Sequence, residues 1–230
     1  MKIVIIGFGV VGQATKETLK DNNTIEIHDP KKGHISNYKD ADVVFICTPH
    51  EHVGSYLNEL KDHESVFVRS TIQFEWVLNT NIAVWPEFLT ERTWKEDAVN
   101  PLCCICGGSI RQLETLKNLT KFKYIKSWYH TENHTAALMK NATNVFYTMK
   151  VSYANILYDI CEKYNISYDK LKNCITEDPR MGTQHWDVPG PDGKLGYGGK
   201  CFPQNLEMMR DLIKDNDLLI EIERYNNSRR

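Results

Sequence analysis

The chain has no apolar run long enough to span a bilayer, so no membrane-spanning helix is expected in it. No signal peptide is expected, because the first apolar strand starts at Lys2. Charge of one sign is missing too: 28 Lys plus Arg oppose 30 Asp plus Glu, for a net charge of -2. That balance provides no electrostatic footprint for nucleic acid or an anionic membrane surface. Cysteine is present without a framework, since seven is an odd number and the spacing is uneven. Reduced thiols in a cytoplasmic setting are expected rather than disulfides. Cys103, Cys104 and Cys106 cluster, but within the apolar stretch Leu102–Cys106 and with no second ligand group at a familiar spacing. A buried strand and no metal site is the expectation there. Repeats, low-complexity tracts and flexible linkers are absent as well.

What is present is enough chain, 230 residues, for one generous domain or two small ones. The first half alternates short apolar runs with helical patterns, which predicts a parallel sheet wrapped by helices. Strands are expected at Lys2–Ile6, Thr24–His28, Val43–Cys47, Ser65–Arg69, Ile82–Trp85 and Leu102–Cys106, with Lys123–Ile125 a candidate seventh. Helices are expected at Val10–Lys20, Glu51–Leu60 and Ile110–Leu119, and no full helix between Asp29 and Val43. From Thr131 to Tyr164 there is no proline or glycine, and apolar residues recur at helical spacing. A helix of roughly 30 residues would be about 45–50 Å long, more than one small domain covers. It is expected to pack against a second copy of the chain or to span the interface to the first domain. Further helices are expected at Tyr168–Cys174, Gln204–Lys214 and Leu218–Asn227, with a Gly- and Pro-rich loop over Asp178–Lys200. The fold class expected is α/β: a Rossmann doubly wound parallel sheet in residues 1–128, then an all-helical dimerisation domain in 129–230.

Gly7-Phe8-Gly9-Val10-Val11-Gly12 follows a strand and opens a helix. The first glycine permits a tight turn, the second lets backbone approach a pyrophosphate, and the third lets helix and strand pack closely. Asp29 ends the second strand, where a carboxylate can accept hydrogen bonds from an adenosine ribose. It favours NAD over NADP, although Lys31 and Lys32 follow and soften that preference. Thr48-Pro49 and Ser70-Thr71 come at the carboxyl edge of the predicted sheet, where ligands of such folds collect.

Near the other end, Gly198-Gly199-Lys200-Cys201-Phe202-Pro203-Gln204-Asn205 sets one cysteine in a glycine-rich turn ahead of a helix expected from Gln204. Such a cysteine is exposed and faces the positive end of the helix dipole, which favours thiolate. A buried structural cysteine at a turn is the plain alternative, and the dinucleotide signature tips the reading toward a nucleophile.

Taken with Pro86-Glu87-Phe88-Leu89, these motifs resemble, in order, the UDP-glucose 6-dehydrogenase family of nucleotide-sugar dehydrogenases. The resemblance implies oxidation of an alcohol to an acid in two steps, with NAD as cofactor and a nucleotide sugar as substrate. It implies that Cys201 attacks the intermediate aldehyde and that Glu87 is the general base for thioester hydrolysis. Lys140 and Asn144, four residues apart on one helix face, match the pair that holds charge on the substrate oxygen. Thr71 matches a threonine near the reacting centre. Phe88, Leu89, Glu91 and Gly198 fall at substrate-binding positions, and Arg180 matches an arginine that reaches the partner subunit's site. Glu91 and Arg180 are, on the residues alone, equally an ordinary surface acid and a solvated loop arginine.

Two departures stand out. Asn205 replaces the family's aspartate, so a proton acceptor is lost there, and Lys140 becomes a candidate base in its place. The family's C-terminal UDP-binding domain is also not expected in this chain, which leaves the identity of the sugar open. Two other readings remain: a one-step hydroxyacid-type dehydrogenase, and a non-catalytic NAD-binding subunit that pairs with a full-length enzyme.

Overall fold

The computed structural model describes residues 1–90, 92–101, 103–122, 124–213 and 216–230. They form two compact units, Met1–Lys140 and Asn141–Arg230.

The first unit is built on one seven-stranded sheet in the order β2-β1-β3-β4-β5-β6-β7. The strands are β1 (Lys2–Ile6), β2 (Thr24–His28), β3 (Val43–Ile46), β4 (Val66–Val68), β5 (Ala83–Val84), β6 (Cys103–Gly107) and β7 (Ser127–Thr131). All neighbours pair in parallel except β5 and β6, which are antiparallel and share the single pair Val84 and Gly107. Alternation along the strands sends Val4, Ile6, Val44, Ile46, Val66 and Val68 to one face, where they meet Val53 and Leu57 of α2 (His50–Glu59). Ile3, Ile5, Phe45 and Phe67 go to the other, against Leu113 and Leu116 of α4 (Ile110–Leu119). Covering both faces is what makes these strands apolar throughout. Helix α1 (Val10–Thr18) follows β1, and α3 (Trp94–Val99), unforeseen in the sequence, precedes β6. Helix α4 starts with a reciprocal cap: Ser109 Oγ accepts from Gln112 N–H, and Gln112 Oε1 accepts from Ser109 N–H at 2.8 Å.

Several expected boundaries move. Helix α1 stops at Thr18, two residues short of Lys20, because Leu19 bridges to Thr120 and Lys20 N–H donates to Leu119 C=O. The candidate seventh strand at Lys123–Ile125 is not there: Tyr124 and Ile125 are irregular, Lys123 lies outside the described residues, and the strand is Ser127–Thr131. Leu102, expected to open β6, lies outside them too. Between β2 and β3 there is only a three-residue helical turn at Pro30–Lys32, as the short connection suggested.

The long helix, α5, runs Asn133–Tyr164, 32 residues, beginning after β7 ends at Thr131. Its first turns belong to the first unit, where Ala136 and Ala137 are buried. Asn133 Nδ2 donates to the carbonyls of Val77 at 2.9 Å and Ile82 at 3.0 Å, and Gln112 Nε2 to Asn81 C=O at 2.7 Å.

In the second unit, the regular elements among the described residues are helical: the rest of α5, α6 (Tyr168–Thr176), a three-residue turn at Pro179–Met181, α7 (Cys201–Leu212) and α8 (Asp217–Arg229). Helix α7 was expected from Gln204 to Lys214. It starts three residues earlier because Pro203 sits in the first turn, where a missing N–H costs nothing; Lys214 is outside the described residues. Val145, Tyr197, Leu206, Leu219 and Ile222 form the core of this unit. The loop before α7 is organised by buried Trp186, whose Nε1 donates to Gly182 C=O while its own carbonyl accepts from Tyr168 Oη at 2.6 Å. No described helix is long and apolar enough to cross a membrane.

Candidate active site

At the carboxyl edge of β1 the chain turns through Gly7, whose φ of +85° only glycine adopts without strain. A Cβ on Gly12 would drive into Gly7 C=O, so that glycine is fixed by packing. At Gly9 a Cβ would meet nothing, so packing does not explain this glycine. Gly9 caps α1 without any side-chain bond, and the N–H groups of Val10, Val11 and Gly12 have no intrahelical acceptor. An open glycine at an uncapped helix start suits an anion that needs close backbone approach, and the donor set therefore fits a dinucleotide pyrophosphate.

Asp29 is tied into the same turn. Its Oδ2 accepts from Phe8 N–H at 2.9 Å, and Lys32 Nζ donates to Phe8 C=O at 2.6 Å. One acid and one lysine thus brace the glycine loop from β2's end. Ser70 Oγ donates to Thr48 C=O at 2.6 Å, linking the ends of β3 and β4 beside Pro49. Thr48 Oγ1 is buried with no partner among the described residues. Thr71 C=O lies 3.3 Å from His50 Nδ1.

Glu87 and Lys140, far apart in sequence, are brought together. Lys140 Nζ stands 3.3 Å from Glu87 Oε1, donates to Glu87 C=O at 2.6 Å, and sits 5.2 Å from the centre of the Phe88 ring. Glu87 Oε2 accepts from Leu89 N–H at 2.7 Å, which fixes the carboxylate's orientation. Phe88 is exposed and Leu89 half-buried. Glu91 lies outside the described residues.

Behind Glu87 is a cation that the sequence reading passed over. Arg69 is buried, with its guanidinium 3.7 Å from the centre of the Trp85 ring, and its Nε and Nη1 find no acceptor among the described residues. Burial lowers its pKa, opposed by the nearby Cys47 and Glu87. The signal was an arginine closing an apolar strand run. The thiols on this side of the sheet are quenched by burial: Cys47 is pushed up to about 11, and Cys104 and Cys106 to about 12.

In the second unit, Asn144 Nδ2 donates to Asn205 Oδ1 at 2.6 Å. Asn205 is fully buried, and its own Nδ2 has no acceptor among the described residues. Cys201, exposed, is the first residue of α7, so Asn205 follows one turn later on the same face. This corrects the expected placement: the thiol is inside the helix start rather than ahead of it. Arg180 is exposed, and its guanidinium engages Asp178, with Nε 2.9 Å from Oδ1. Gly198 lies under the Arg230 guanidinium, which occupies the space a Cβ would need.

Residues 134–227 match the model described as the central domain of the UDP-glucose/GDP-mannose dehydrogenase family. The UDP-glucose 6-dehydrogenase of Rickettsia felis is 28% identical over 141 residues, 60% of this chain and 30% of that protein. The match thus spans about a third of the length of such curated relatives. The solved UDP-glucose dehydrogenase of Pyrobaculum islandicum is similar with a TM-score of 0.76 at 18% identity, over 99% of this chain and 68% of that one. A Mycobacterium tuberculosis 3-hydroxyisobutyrate dehydrogenase gives a TM-score of 0.79 at 16% identity, over 99% of this chain and 93% of that one. At these identities the structural likeness shows the fold alone.

Proposed function

We propose that this chain, whose residues 134–227 match the central domain of the UDP-glucose/GDP-mannose dehydrogenase family, oxidises the primary alcohol of a nucleotide sugar to the acid with NAD. The observation that carries the reading is the Glu87–Lys140 pair: a mostly buried carboxylate, oriented by Leu89 N–H, held against an ammonium.

NAD would be held by the Gly7–Gly12 turn, with Val10 and Val11 N–H toward the pyrophosphate, Asp29 toward the ribose, and Thr48, Pro49, Ser70 and Thr71 along the sheet edge; bound there, it accepts hydride. Lys140 and Asn144, one turn apart on α5, are assigned to hold charge on the substrate oxygen. Cys201 adds to the aldehyde carbon to give a thiohemiacetal, its proton passing to the oxygen. A second hydride would leave the thiohemiacetal carbon for the nicotinamide as its hydroxyl proton is lost, giving the thioester; there Glu87 takes a proton from the attacking water, and the Cys201 thiolate leaves. Phe88, Leu89, Glu91 and Gly198 are assigned to substrate contacts, and Arg180 to the partner subunit's substrate. Asn205 orients Asn144 and accepts no proton, so Lys140, once its ammonium has passed a proton to the Glu87 carboxylate beside it, is the candidate base for the alcohol.

A homodimer through α5 completes the proposal. Phe146, Tyr153, Ile156, Ile160 and Tyr164 form an exposed apolar stripe at helical spacing, the kind of face a second helix covers.

The test is a single-turnover assay with excess NAD and a panel of UDP-sugars, counting NADH per sugar. Two NADH per sugar, falling sharply in Cys201→Ala, is the expected result. One NADH, with Cys201→Ala silent, would sink the cysteine route in favour of a one-step dehydrogenase. NAD binding with no NADH from any sugar would favour the non-catalytic subunit.

A further inference from the structure

The loop that delivers Cys201 is anchored from behind by a residue with no place in the chemistry above. Asn226, buried on α8, pairs with the main chain of Tyr197 in both directions. Its Oδ1 accepts from Tyr197 N–H at 2.7 Å, and its Nδ2 donates to Tyr197 C=O at 3.1 Å. Asn155 on α5 takes the neighbouring donor: its Oδ1 accepts from Gly196 N–H at 3.0 Å, while its Nδ2 is held by Val151 C=O at 2.8 Å. Both asparagines are therefore fixed in orientation, and between them they bond the main chain of two successive loop residues. Gly196 has a φ of +68°, and a Cβ there would strike Asn226 Oδ1, so the loop fits only as glycine at this point. The Tyr197 side chain is buried in the core of the unit, and its ring lies 6.3 Å from that of Phe202, the residue after Cys201.

We infer that Asn226, seconded by Asn155, is a positioning residue that fixes Cys201 through the segment Gly196–Lys200. Three residues separate Tyr197 from Cys201, and two of them are Gly198 and Gly199, the latter at a φ of +75°. The glycines add no side-chain packing of their own, so the start of α7 is tied to the anchored loop through the Tyr197–Phe202 ring contact, and holding Tyr197 steadies the turn that carries the thiol. The Asn226 pair is a main-chain bond made by a side chain: it works in loop backbone that has no strand beside it. Its role in catalysis rests on the nucleophile reading of Cys201; its role in ordering Cys201 does not.

The test uses a nitroxide label on Cys201 in the full chain carrying Cys174→Ser, the other exposed cysteine. The label's rotational correlation time is read well below the melting temperature. Asn226→Ala is expected to shorten it by about twofold or more, Asn226→Asp, which keeps the acceptor, to shorten it less, and exposed Asn227→Ala to leave it unchanged. The same label at Cys174, with Cys201→Ser, is expected to be indifferent to all three. If Asn226→Ala does not fold, Asn226→Asp and Asn155→Ala carry the comparison. Equal mobility in folded wild type and variants, or equal loosening at Cys174, overturns the inference. In the turnover assay, Asn226→Ala is expected to lower kcat by about 10- to 100-fold, the scale of a small misplacement of a reacting group, with KM for NAD unchanged. A loosened label with unchanged kcat would leave Asn226 as the anchor and refute Cys201 as nucleophile, which separates the two claims.

Discussion

Replacing Glu87 by Gln and Lys140 by Met, singly and together, measures how firmly the central pair is coupled. At 3.3 Å the two unit charges attract by about 5 kcal/mol at an effective dielectric of about 20. Their side chains are only 14% and 12% exposed, so the lost hydration of both cancels much of that attraction. A net coupling of about 2 kcal/mol is expected, within the range for charged residues in contact. The two single variants are not equivalent. Lys140 also donates to Glu87 C=O, a main-chain bond that survives Glu87→Gln and is lost in Lys140→Met. Lys140→Met should therefore be the more destabilising by about 1 kcal/mol, the net worth of one hydrogen bond. Urea unfolding of the four proteins, followed by tryptophan fluorescence and read on the transition of the first unit, gives the cycle. Additivity within about 0.5 kcal/mol, or Glu87→Gln as the costlier change, would refute the reasoning. Glu87→Gln has a second use, since Lys140 stays tethered while the base is removed: turnover loss in that variant reports proton transfer rather than displaced geometry.

Alkylation and pH probe the rest. With Cys47, Cys104 and Cys106 pushed up to about 11 to 12 by burial, native protein at pH 8 should label at Cys174 and Cys201 and leave those three untouched, as mass spectrometry of peptides will show. Because the unfolded thiols ionise first, the unfolded state binds fewer protons, and stability should fall as pH rises above about 8.5. His185 has its pKa lowered by burial and then by Lys150. Its unfolded state binds the proton first, so stability should drop as pH falls below about 6.5. His185→Asn, which tolerates the same positive φ of 65°, should flatten that acid limb in a series of melting curves; an unchanged limb would assign it to other groups.

Much of the first unit was legible because its strands are apolar runs with clear punctuation. Lys2–Ile6 and Thr24–His28 fall on the observed strands residue for residue. Strand β7 was misplaced because it lies at the sheet's edge and alternates weakly, with Trp128 the only apolar residue turned to the core. Helix α7 was started late because Pro203 reads as a break, whereas in a first turn it breaks nothing. In the candidate site, the glycine turn and Asp29 were legible, since each answers a local demand of backbone or charge. The bracing of that turn by Lys32, the burial of Arg69 under Trp85, and the use of Asn226 as a surrogate strand were not. Those are tertiary meetings between ordinary residue types, and no local pattern announces them.

The brevity of β5 has a mechanical meaning. Five residue pairs join β1 to β2 and five join β6 to β7, but a single pair joins β5 to β6. The sheet is thus two plates meeting at a seam. The side-chain amides of Gln112 and Asn133 rivet across it where a strand ladder would otherwise run. The chain leaves β5 through Trp85 and Pro86 straight into Glu87. The carboxylate therefore hangs from the edge of the weakest joint in the sheet, and its tether to Lys140 on α5 does the work of a clasp, keeping that edge shut from the same helix that carries one of the rivets.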